Sequence, residues 1–420
     1  MKNKRAIFFL FCANSVSGVS QGISMIAIPW YFAGELNMPS FFGALYATIT
    51  GLSLFWGLLV GTMVDRFNRK YIFLFVTGVG ALLLSAISFS GYYMGTVHYL
   101  LVAAAFASTY FIYSVHYPNL YAFAQEITEK KHYGRITSYI EIQGQLTTMI
   151  AGGLAALLLS GVNSDVVSFF GWEFTFPFTI EKWELHEIFA VDAITYLLAF
   201  ALILLIRYVP IEERIIDTGS IKDRLIFGIN YLKSNKYVFL FGIASFSVFV
   251  TILCIGFFIA PIYINNHLHG GAGVYAISDV FFACGAVLAG FGIRYVFKQK
   301  TVVAIIVMSL VTACIYFFYT VNYNFSLFYV TMLLIGCCNA GIRIMRMTYI
   351  FNHIPNNIIG RTNSIFGMSN VMLRFTFLTS FSLPFFASGN NIIYPFMIMG
   401  CFIVVSTIPL LVWYKKILKS

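Results

Sequence analysis

Basic residues in this chain are sorted between long apolar segments, and this sorting constrains the fold more than any other feature. Of the 26 Lys and Arg residues, 24 fall in seven short stretches, and only Lys182 and Arg374 lie elsewhere. Basic loops stay on the cytoplasmic side of a membrane, so such an alternation counts and orients membrane spans. The seven stretches are Lys2 to Arg5, Arg66 to Lys70, Lys130 to Arg135, Arg207 to Lys236, Arg294 to Lys300, Arg343 to Arg361 and Lys415 to Lys419.

The composition requires a membrane. With 60% hydrophobic residues, 10% charged residues and a mean hydropathy of +0.84, a water-soluble domain could not bury its apolar surface. At about 35 residues per span and loop, 420 residues predict an all-α polytopic membrane protein of twelve helices with both termini cytoplasmic. The predicted spans are roughly 6–34, 40–64, 71–94, 98–123, 136–161, 187–208, 237–262, 272–297, 301–321, 325–350, 362–388 and 391–414.

The two halves of the chain echo each other. The segment from Gly57 has a counterpart 228 residues later at Gly285, and Gly134-Arg135 has a counterpart 226 residues later at Gly360-Arg361. Two matches at nearly one offset predict a duplicated six-helix unit, with a substrate path between the halves and alternating access.

The duplication predicts three regions. These are an N-terminal six-helix bundle (1–209), a cytoplasmic linker (210–236) and a C-terminal six-helix bundle (237–420). Within the linker, Ile221 to Leu232 alternates charged and apolar residues at helical spacing. This pattern indicates a short helix on the membrane surface, with a solvated linker as the alternative.

A short motif follows the second span. Residues 61–70 read Gly-Thr-Met-Val-Asp-Arg-Phe-Asn-Arg-Lys. This resembles the G-x-x-x-D-R-x-G-R-R/K loop of the major facilitator superfamily, which implies a transporter of two pseudo-symmetric six-helix bundles. We expect two glycines to clear a helix face for close packing, and Asn68 to replace a glycine at positive φ. The residues assigned to this conformational motif are Gly57, Gly61, Asp65, Arg66, Arg69 and Lys70.

Two further segments narrow the resemblance. The segment from Ser17 to Trp30 and the segment from Phe189 to Tyr196 resemble the first and sixth helices of the macrolide-efflux-like and enterobactin-exporter-like branch. This branch implies export by proton antiport. Gln21 stands where the branch often has an acid, and Thr148-Met149 replaces the Gly-Pro usual in antiporters, so import by proton symport stays open.

Cations inside the spans are functional candidates, because an ionisable group there costs several kcal/mol. Arg374 lies about 18 Å into the eleventh predicted span, at 1.5 Å per residue. We interpret it as a binding group for a carboxylate or another anion, or as a structural partner of Asp279. Arg343 and Arg346, one turn apart, extend a cationic path or anchor the helix by reaching the lipid headgroups.

Acids inside the spans are candidates for proton coupling. A carboxyl group in a low-dielectric setting can load and release a proton, and Asp279 and Glu141 lie in spans expected to line a cavity. An ion pair with Arg135 is the alternative for Glu141. Asp192, in a helix expected to lie outside the cavity, is interpreted as structural.

Polar and aromatic residues complete the candidate substrate site. Such side chains suit an amphiphilic molecule, although interhelical hydrogen bonding explains any one of them equally well. They are Gln21, Tyr113, His116, Tyr117, Gln145 and Asn339, with Asn14 and Gln143 beside them.

The sequence therefore predicts a secondary transporter of the bacterial inner membrane. It would export an amphiphilic or anionic small molecule, siderophore-like or drug-like, in exchange for protons; the alternative is a proton-coupled importer of a siderophore or other organic anion. No catalytic motif is present, so no enzyme, cofactor or metal is expected. The expected partners are the substrate, protons and the lipid bilayer, without nucleic acid, and the expected state is a monomer.

Overall fold

A computed structural model gives an almost entirely helical chain. Its helices are α1 (Lys4–Trp30), α2 (Pro39–Arg66), α3 (Arg69–Met94), α4 (Tyr99–Glu126), α5 (Tyr133–Ser160), α6 (Leu185–Leu204), α7 (Ile221–Ser234), α8 (Lys236–Cys254), α9 (Ala260–Asn266), α10 (Ala272–Phe297), α11 (Thr301–Tyr319), α12 (Phe325–His353), α13 (Asn356–Phe381), α14 (Pro384–Ala387), α15 (Ile393–Val412) and α16 (Tyr414–Ile417). The strands β1 (Val167–Phe169) and β2 (Trp172–Phe174) form an antiparallel hairpin. The residues that the structure describes are 3–161, 167–169, 172–174, 179–211, 221–297 and 300–418.

Long helices match the predicted spans in number. Among the described residues, ten helical stretches are long and apolar enough to cross a membrane. Two other helices, α2 and α13, reach 28 and 26 residues. Three stretches are composite: the π-helical turn Tyr31–Glu35 extends α1, the π-helical turn Ile255–Ile259 joins α8 to α9, and the 3-10 turn Gly389–Ile392 precedes α15. The prediction of an all-helical membrane protein is confirmed.

The eleventh span begins earlier than predicted. The apolar segment starts near residue 362, whereas α13 starts at Asn356, directly after Pro355. A helix needs backbone hydrogen bonds and not apolar side chains, so the polar residues after Pro355 extend it beyond the apolar segment. The helix ends at Phe381, short of the predicted end at 388, because Pro384 disfavours helix in the residue before it and the prediction ran through this proline.

Asn68 starts α3 in a way that the sequence did not predict. Its φ is −67° and its ψ is 122°, so the expectation of a positive φ is wrong. The Asn68 side chain instead accepts a hydrogen bond of 3.0 Å from the backbone N–H of Lys70. This is an N-cap, a position at which asparagine is among the most favourable residues.

The chain divides into two compact units. Unit 1 comprises residues 1–36, 52–217 and 271–280, and unit 2 comprises residues 37–51, 218–270 and 281–420. Helices α2 and α10 therefore each contribute residues to both units. A core of unit 1 is formed by apolar side chains of α1, α3, α4, α5 and α6, among them Leu10, Phe73, Phe123, Ile140 and Ile203.

The glycine pair of α2 does not serve the close packing that we predicted. A Cβ atom added at Gly57 or Gly61 would meet no described atom within 4 Å. The packed face of this part of α2 instead carries Val60 and Val64, which share a core cluster with Val115 of α4. Branched side chains, not glycines, therefore make this contact within unit 1.

Close glycine packing occurs within unit 2. A Cβ atom at Gly285 of α10 would overlap the backbone carbonyl oxygen of Leu333 on α12, and one at Gly336 would overlap that of Phe282. Two helix backbones approach this closely only where neither position has a side chain. The crossing of α10 and α12 therefore depends on these two glycines.

The linker helix packs against α13 in unit 2. A Cβ atom at Gly228 of α7 would lie 2.8 Å from the Ile365 side chain and 3.3 Å from the Arg361 carbonyl oxygen. The Arg361 guanidinium lies 4.9 Å from the centre of the Phe227 ring, a cation–π contact. The predicted helix in the linker is therefore present, and one of its faces contacts a neighbouring helix.

Candidate binding site

The conformational motif joins α3 to the end of α4 within unit 1. Arg69 donates from Nη1 to the Ala122 carbonyl at 2.8 Å and forms an ion pair of 2.9 Å with Glu126, whose side chain is 4% exposed. Tyr208 donates a second hydrogen bond to Glu126 at 3.1 Å. Lys70 donates to the carbonyls of Leu204 and Ile206. The two cations thus fix the ends of α4 and α6.

Arg66, another member of the motif, is exposed, and the Asp65 side chain lies outside the described part of the structure. Among the described side chains of the motif, Arg69 and Lys70 make the hydrogen bonds within unit 1.

Replacing Arg69 with glutamine is expected to destabilise the protein by about 3–5 kcal/mol, because it leaves the Glu126 carboxylate buried without its cation. Thermal unfolding of the purified protein measures the effect. The control is Arg66→Gln, because the Arg66 side chain is exposed and lies two residues after Val64, the last buried valine of α2. This variant should change the unfolding temperature little. The double variant R69Q/E126Q should recover part of the loss; equal loss in the double and single variants would contradict the pairing.

Predicted site residues on α4 and α5 form an aromatic group in unit 1. The rings of Tyr113 and Tyr117 lie 4.4 Å apart. Tyr121, on the same helix face as Tyr117, donates a hydrogen bond of 2.7 Å to Glu141. Arg135 donates to the Tyr139 hydroxyl at 2.7 Å. A tyrosine hydroxyl therefore binds the Glu141 carboxylate within this unit.

His116 lies in a hydrogen-bonded network that joins α1, α4 and α5. Its Nε2 lies 2.8 Å from Asn14 Oδ1, and Asn14 Nδ2 donates to Gln143 Oε1 at 3.0 Å. Gln143 in turn donates to the Phe11 carbonyl at 2.6 Å. Because Asn14 Oδ1 accepts, His116 carries a proton on Nε2 in this arrangement. Within unit 1, His116 therefore takes part in hydrogen bonding between helices, which is the alternative role that the sequence left open.

Four other predicted residues are partly exposed. Gln21 and Gln145 lie on α1 and α5, and Asp279 lies on α10 in the part that belongs to unit 1. Asn339 lies on α12 in unit 2. None of the four makes a side-chain hydrogen bond to a described residue of its own unit, so their polar groups remain available for a ligand.

Arg346 is buried inside unit 2. It is 5% exposed, donates from Nη1 to the Ser245 carbonyl of α8 at 3.0 Å, and stacks with its guanidinium carbon 3.6 Å from the centre of the Phe246 ring. The alternative of a headgroup anchor is wrong for this residue, because the guanidinium points into protein. Arg343, one turn earlier, is exposed.

Arg374 is also buried in unit 2, at 6% exposure. The Sγ of Cys254 on α8 lies 4.0 Å from the Arg374 carbonyl oxygen, which packs this part of α13 on α8. Asn370 lies one turn earlier on the same face, is 5% exposed, and its Nδ2 has no hydrogen-bond partner among the described residues. A guanidinium and an amide therefore lie one above the other inside the unit.

Acidic residues are almost absent from unit 2. The sequence of this unit contains one Asp or Glu, Asp223, and residues 280–420 contain neither. The Asp223 side chain lies outside the described part. Buried guanidiniums normally pair with carboxylates. Arg346 and Arg374 therefore lie in a unit that offers them almost no internal counter-charge.

Two polar residues were not predicted from the sequence as part of these sites, namely Asn370 of α13 and Ser24 of α1. Asn370 was readable, because it lies four residues before Arg374 and so shares its helix face. Ser24 was readable in the same way, since Asn14, Ser17 and Ser24 recur at helical spacing along α1. That Ser24 contacts Asp192 of α6 was not, because it depends on how the two helices pack.

The chain was compared with families and proteins of known type. The model of the Major Facilitator Superfamily matches residues 10–378. Macrolide efflux protein A of Streptococcus pyogenes is 21% identical over 296 residues, which cover 68% of this chain and 65% of that protein. The chain thus spans less than two thirds of the length of that relative.

Solved structures of transporters share the fold at low identity. A nucleoside transporter, NupG, superposes with a TM-score of 0.68 at 13% identity, over 98% of this chain and 99% of that chain. A bacterial homologue of the human lysosomal transporter Spinster gives 0.70 at 12% identity, over 99% and 98%. A bacterial homologue of the iron transporter ferroportin gives 0.68 at 12% identity, over 96% and 98%. The match of the family model to residues 10–378, with the long helices and the motif between α2 and α3, shows that this chain belongs to the major facilitator superfamily.

Proposed function

We propose that the protein exports an organic anion across the cytoplasmic membrane in exchange for protons. The observation that carries this proposal is the buried guanidinium of Arg346, which donates to a backbone carbonyl and lies in a unit with a single acidic residue; Arg374 is buried in the same unit. The substrate would supply a negative charge to this site. An amphiphilic carboxylate fits this chemistry, because guanidinium binds carboxylate through two parallel hydrogen bonds.

The energetics favour an anion over a neutral molecule. Taking a cation out of water costs several kcal/mol, and a well-placed anion offsets that cost. The Phe246 ring offsets part of it at Arg346 through the cation–π contact, worth about 2 kcal/mol where water is excluded. Asn370 offers further donors one turn from Arg374. A neutral substrate would leave the Arg346 guanidinium without a negative charge beside it.

The proposed mechanism follows from the duplicated halves. We propose that 1–209 and 237–420 act as two six-helix bundles, that 210–236 connects them, and that both termini are cytoplasmic. The substrate path between the bundles would open alternately to each side. Arg343, Gln21, Tyr113, Tyr117, Gln145 and Asn339 are the further candidates for its lining. Asp279 and Glu141 are the candidates for proton coupling that the sequence suggests.

Similarity to a macrolide efflux protein supports export over import. That likeness is distant, and the buried charges indicate the substrate class more directly than the name of the relative. None of the relatives named above points to a siderophore, and the proposal therefore stays with organic anions as a class.

The anion proposal is tested by comparing the transport of each carboxylate with that of its uncharged derivative. Proteoliposomes are given radiolabelled aromatic carboxylates, from benzoate to carboxyfluorescein, each beside its uncharged amide or ester. We expect saturable, protein-dependent movement of at least one carboxylate, at least about tenfold faster than that of its neutral partner, which corresponds to about 1.4 kcal/mol. Equal rates for the members of every pair, or no rate above that of protein-free vesicles, would overturn the proposal.

A further inference from the structure

A carboxyl group is buried in the middle of α6. Asp192 lies seven residues after the first residue of that 20-residue helix and is 0% exposed. Ser24 of α1, also 0% exposed, donates a hydrogen bond of 2.7 Å to its Oδ2. Its other oxygen, Oδ1, is buried and has no hydrogen-bond partner among the described residues.

Among the described residues, no cation faces Asp192. The helices α1 and α3 pack against α6. The titratable side chain that faces Asp192 in this part of the chain is Tyr196, one turn along α6, whose hydroxyl is buried and likewise has no hydrogen-bond partner there. The charged residues of α1 and α3, namely Lys4, Arg5, Arg69 and Lys70, lie at the helix ends, as do His186 and Glu187 of α6.

An ionised carboxylate is costly in this place. A buried charge without a partner costs several kcal/mol, whereas the neutral acid asks only for hydrogen bonds. A metal ion would need several more oxygen ligands than one carboxylate and two hydroxyls provide. A proton is the cation that this site can accept without further space.

A polar helix face connects Asp192 to the His116 network. Asn14, Ser17, Ser20 and Ser24 follow one another at intervals of three and four residues along α1, and all are at most 9% exposed. Ten residues of helix span about 15 Å. This stripe is buried within unit 1, although α1 is otherwise largely apolar.

A small void lies beside the polar stripe of α1, near Asn14 and Ser17. It has a volume of about 10 Å³, and Asn14, Ser17, Thr77 and His116 are among its lining residues. A void of this size is at the lower limit for one water molecule, and its wall is mostly apolar. Serine hydroxyls and a histidine are groups through which a proton can be passed.

We propose that Asp192 is a proton-binding site of this transporter, reached along the polar face of α1 from the His116 side. One proton binds at Oδ1, the carboxylate becomes the neutral acid, and no other bond is made or broken. Asp192, rather than Asp279 or Glu141, then carries the coupling proton. This inference rests on the proposed function only for the direction in which the proton drives transport.

Infrared difference spectroscopy tests the site without any substrate. The purified full chain is reconstituted in lipid, and spectra are compared on acidification and on return to neutral pH. We expect the wild-type spectrum to contain a reversible C=O stretching band of a protonated carboxyl group that is missing from the Asp192→Asn spectrum, in which the other acidic residues still give their own bands. Asparagine has nearly the shape of the neutral acid, so this variant should fold. Glu181→Gln, an exposed acid before α6, is the matched control and should keep the band.

Several outcomes would overturn the proposal. These are the persistence of every wild-type band in D192N, a band that does not change with pH, and the absence of any band. Ser24→Ala gives an independent reading if D192N fails to fold, because it keeps the acid and removes its one hydrogen bond. The band should then remain but shift in frequency, and an unshifted band would contradict its assignment to Asp192.

The coupling role has a separate test in the vesicles described above. For a carboxylate that the wild type transports, D192N should move it down its own gradient at a comparable rate but should not respond to an imposed pH gradient. A pH response retained in D192N would overturn the coupling role. Failure of every carboxylate to move would instead overturn the anion proposal and leave the infrared result standing.

Discussion

Replacing Arg374 with glutamine is expected to lower the affinity for a transported organic anion by about 30-fold to 1,000-fold. A guanidinium that forms hydrogen bonds with a carboxylate in a water-excluded site contributes about 2–4 kcal/mol, and each 1.4 kcal/mol is a factor of ten in the dissociation constant. Binding of a carboxylate from the panel to the purified protein, by calorimetry or filter assay, measures the loss. Arg374→Lys should recover only part of the affinity, because an ammonium lacks the planar fork.

Lys415→Gln is the control for this experiment. Lys415 is exposed, whereas Arg346 and Arg374 are 5% and 6% exposed, so the control removes one positive charge from the surface of the unit. We expect it to change affinity by less than about threefold, while Arg346→Gln should resemble Arg374→Gln. Unchanged affinity in Arg374→Gln together with loss of folded protein would favour the alternative that Arg374 is a structural partner of Asp279.

The second large effect is expected at the crossing of α10 and α12. Gly285→Ala places a methyl group on the backbone carbonyl oxygen of Leu333, and Gly336→Ala does the same at Phe282. Neither backbone can yield without separating the helices, so each substitution should destabilise the protein by about 3 kcal/mol or more. The measurement is the yield and the unfolding temperature of the purified variants.

Two glycines supply the matched controls for this prediction. Gly290 lies on the same helix as Gly285, and Gly57 is the counterpart of Gly285 in the first half of the sequence. A Cβ atom at Gly290 or at Gly57 meets no described atom within 4 Å. Alanine there should be neutral or should stabilise its helix by about 0.5–1 kcal/mol, because glycine is a poor helix former. Equal loss at Gly285 and Gly290 would show that the close crossing does not limit stability.

The sequence predicted the number and order of the long helices because the bilayer imposes a simple rule. Each span needs about 20 apolar residues, and the basic loops mark its cytoplasmic end. The start of α13 was missed because polar residues can continue a helix beyond the membrane. Asn68 was assigned the wrong backbone conformation because asparagine is favoured both at positive φ and at N-caps, and the sequence does not distinguish these two uses.

The sequence indicated which residues are candidates for the site, but it did not predict which other residues they contact. Arg374 stood out because basic loops do not explain it, and the structure buries it in unit 2. Arg346 was given two interpretations, and its stacking on Phe246 argues against the one that makes it a headgroup anchor. Gly57 was given a packing role that the structure places at Gly285 and Gly336 instead. Such pairings depend on which helix faces meet, and helical periodicity alone does not determine that.

The interpretation of Asp192 was limited in the same way, because its surroundings depend on which helix faces meet. Its helix was expected to be peripheral, and its carboxyl group was therefore interpreted as structural. Within unit 1 that carboxyl group is fully buried against Ser24, at one end of a polar stripe of α1. Only the packing of α6 on α1 turns an ordinary acidic residue of a span into a candidate proton site.

Simultaneous measurement of anion and proton movement tests the central claim most directly. Proteoliposomes are loaded with a panel carboxylate that protein-free vesicles retain, together with a pH-sensitive dye, and are then diluted into carboxylate-free buffer at equal pH. Exchange of an organic anion for protons predicts that the lumen becomes more acidic as the anion leaves, in proportion to the amount of protein. Anion efflux with an unchanged lumenal pH, or with a lumen that becomes more alkaline, would contradict it.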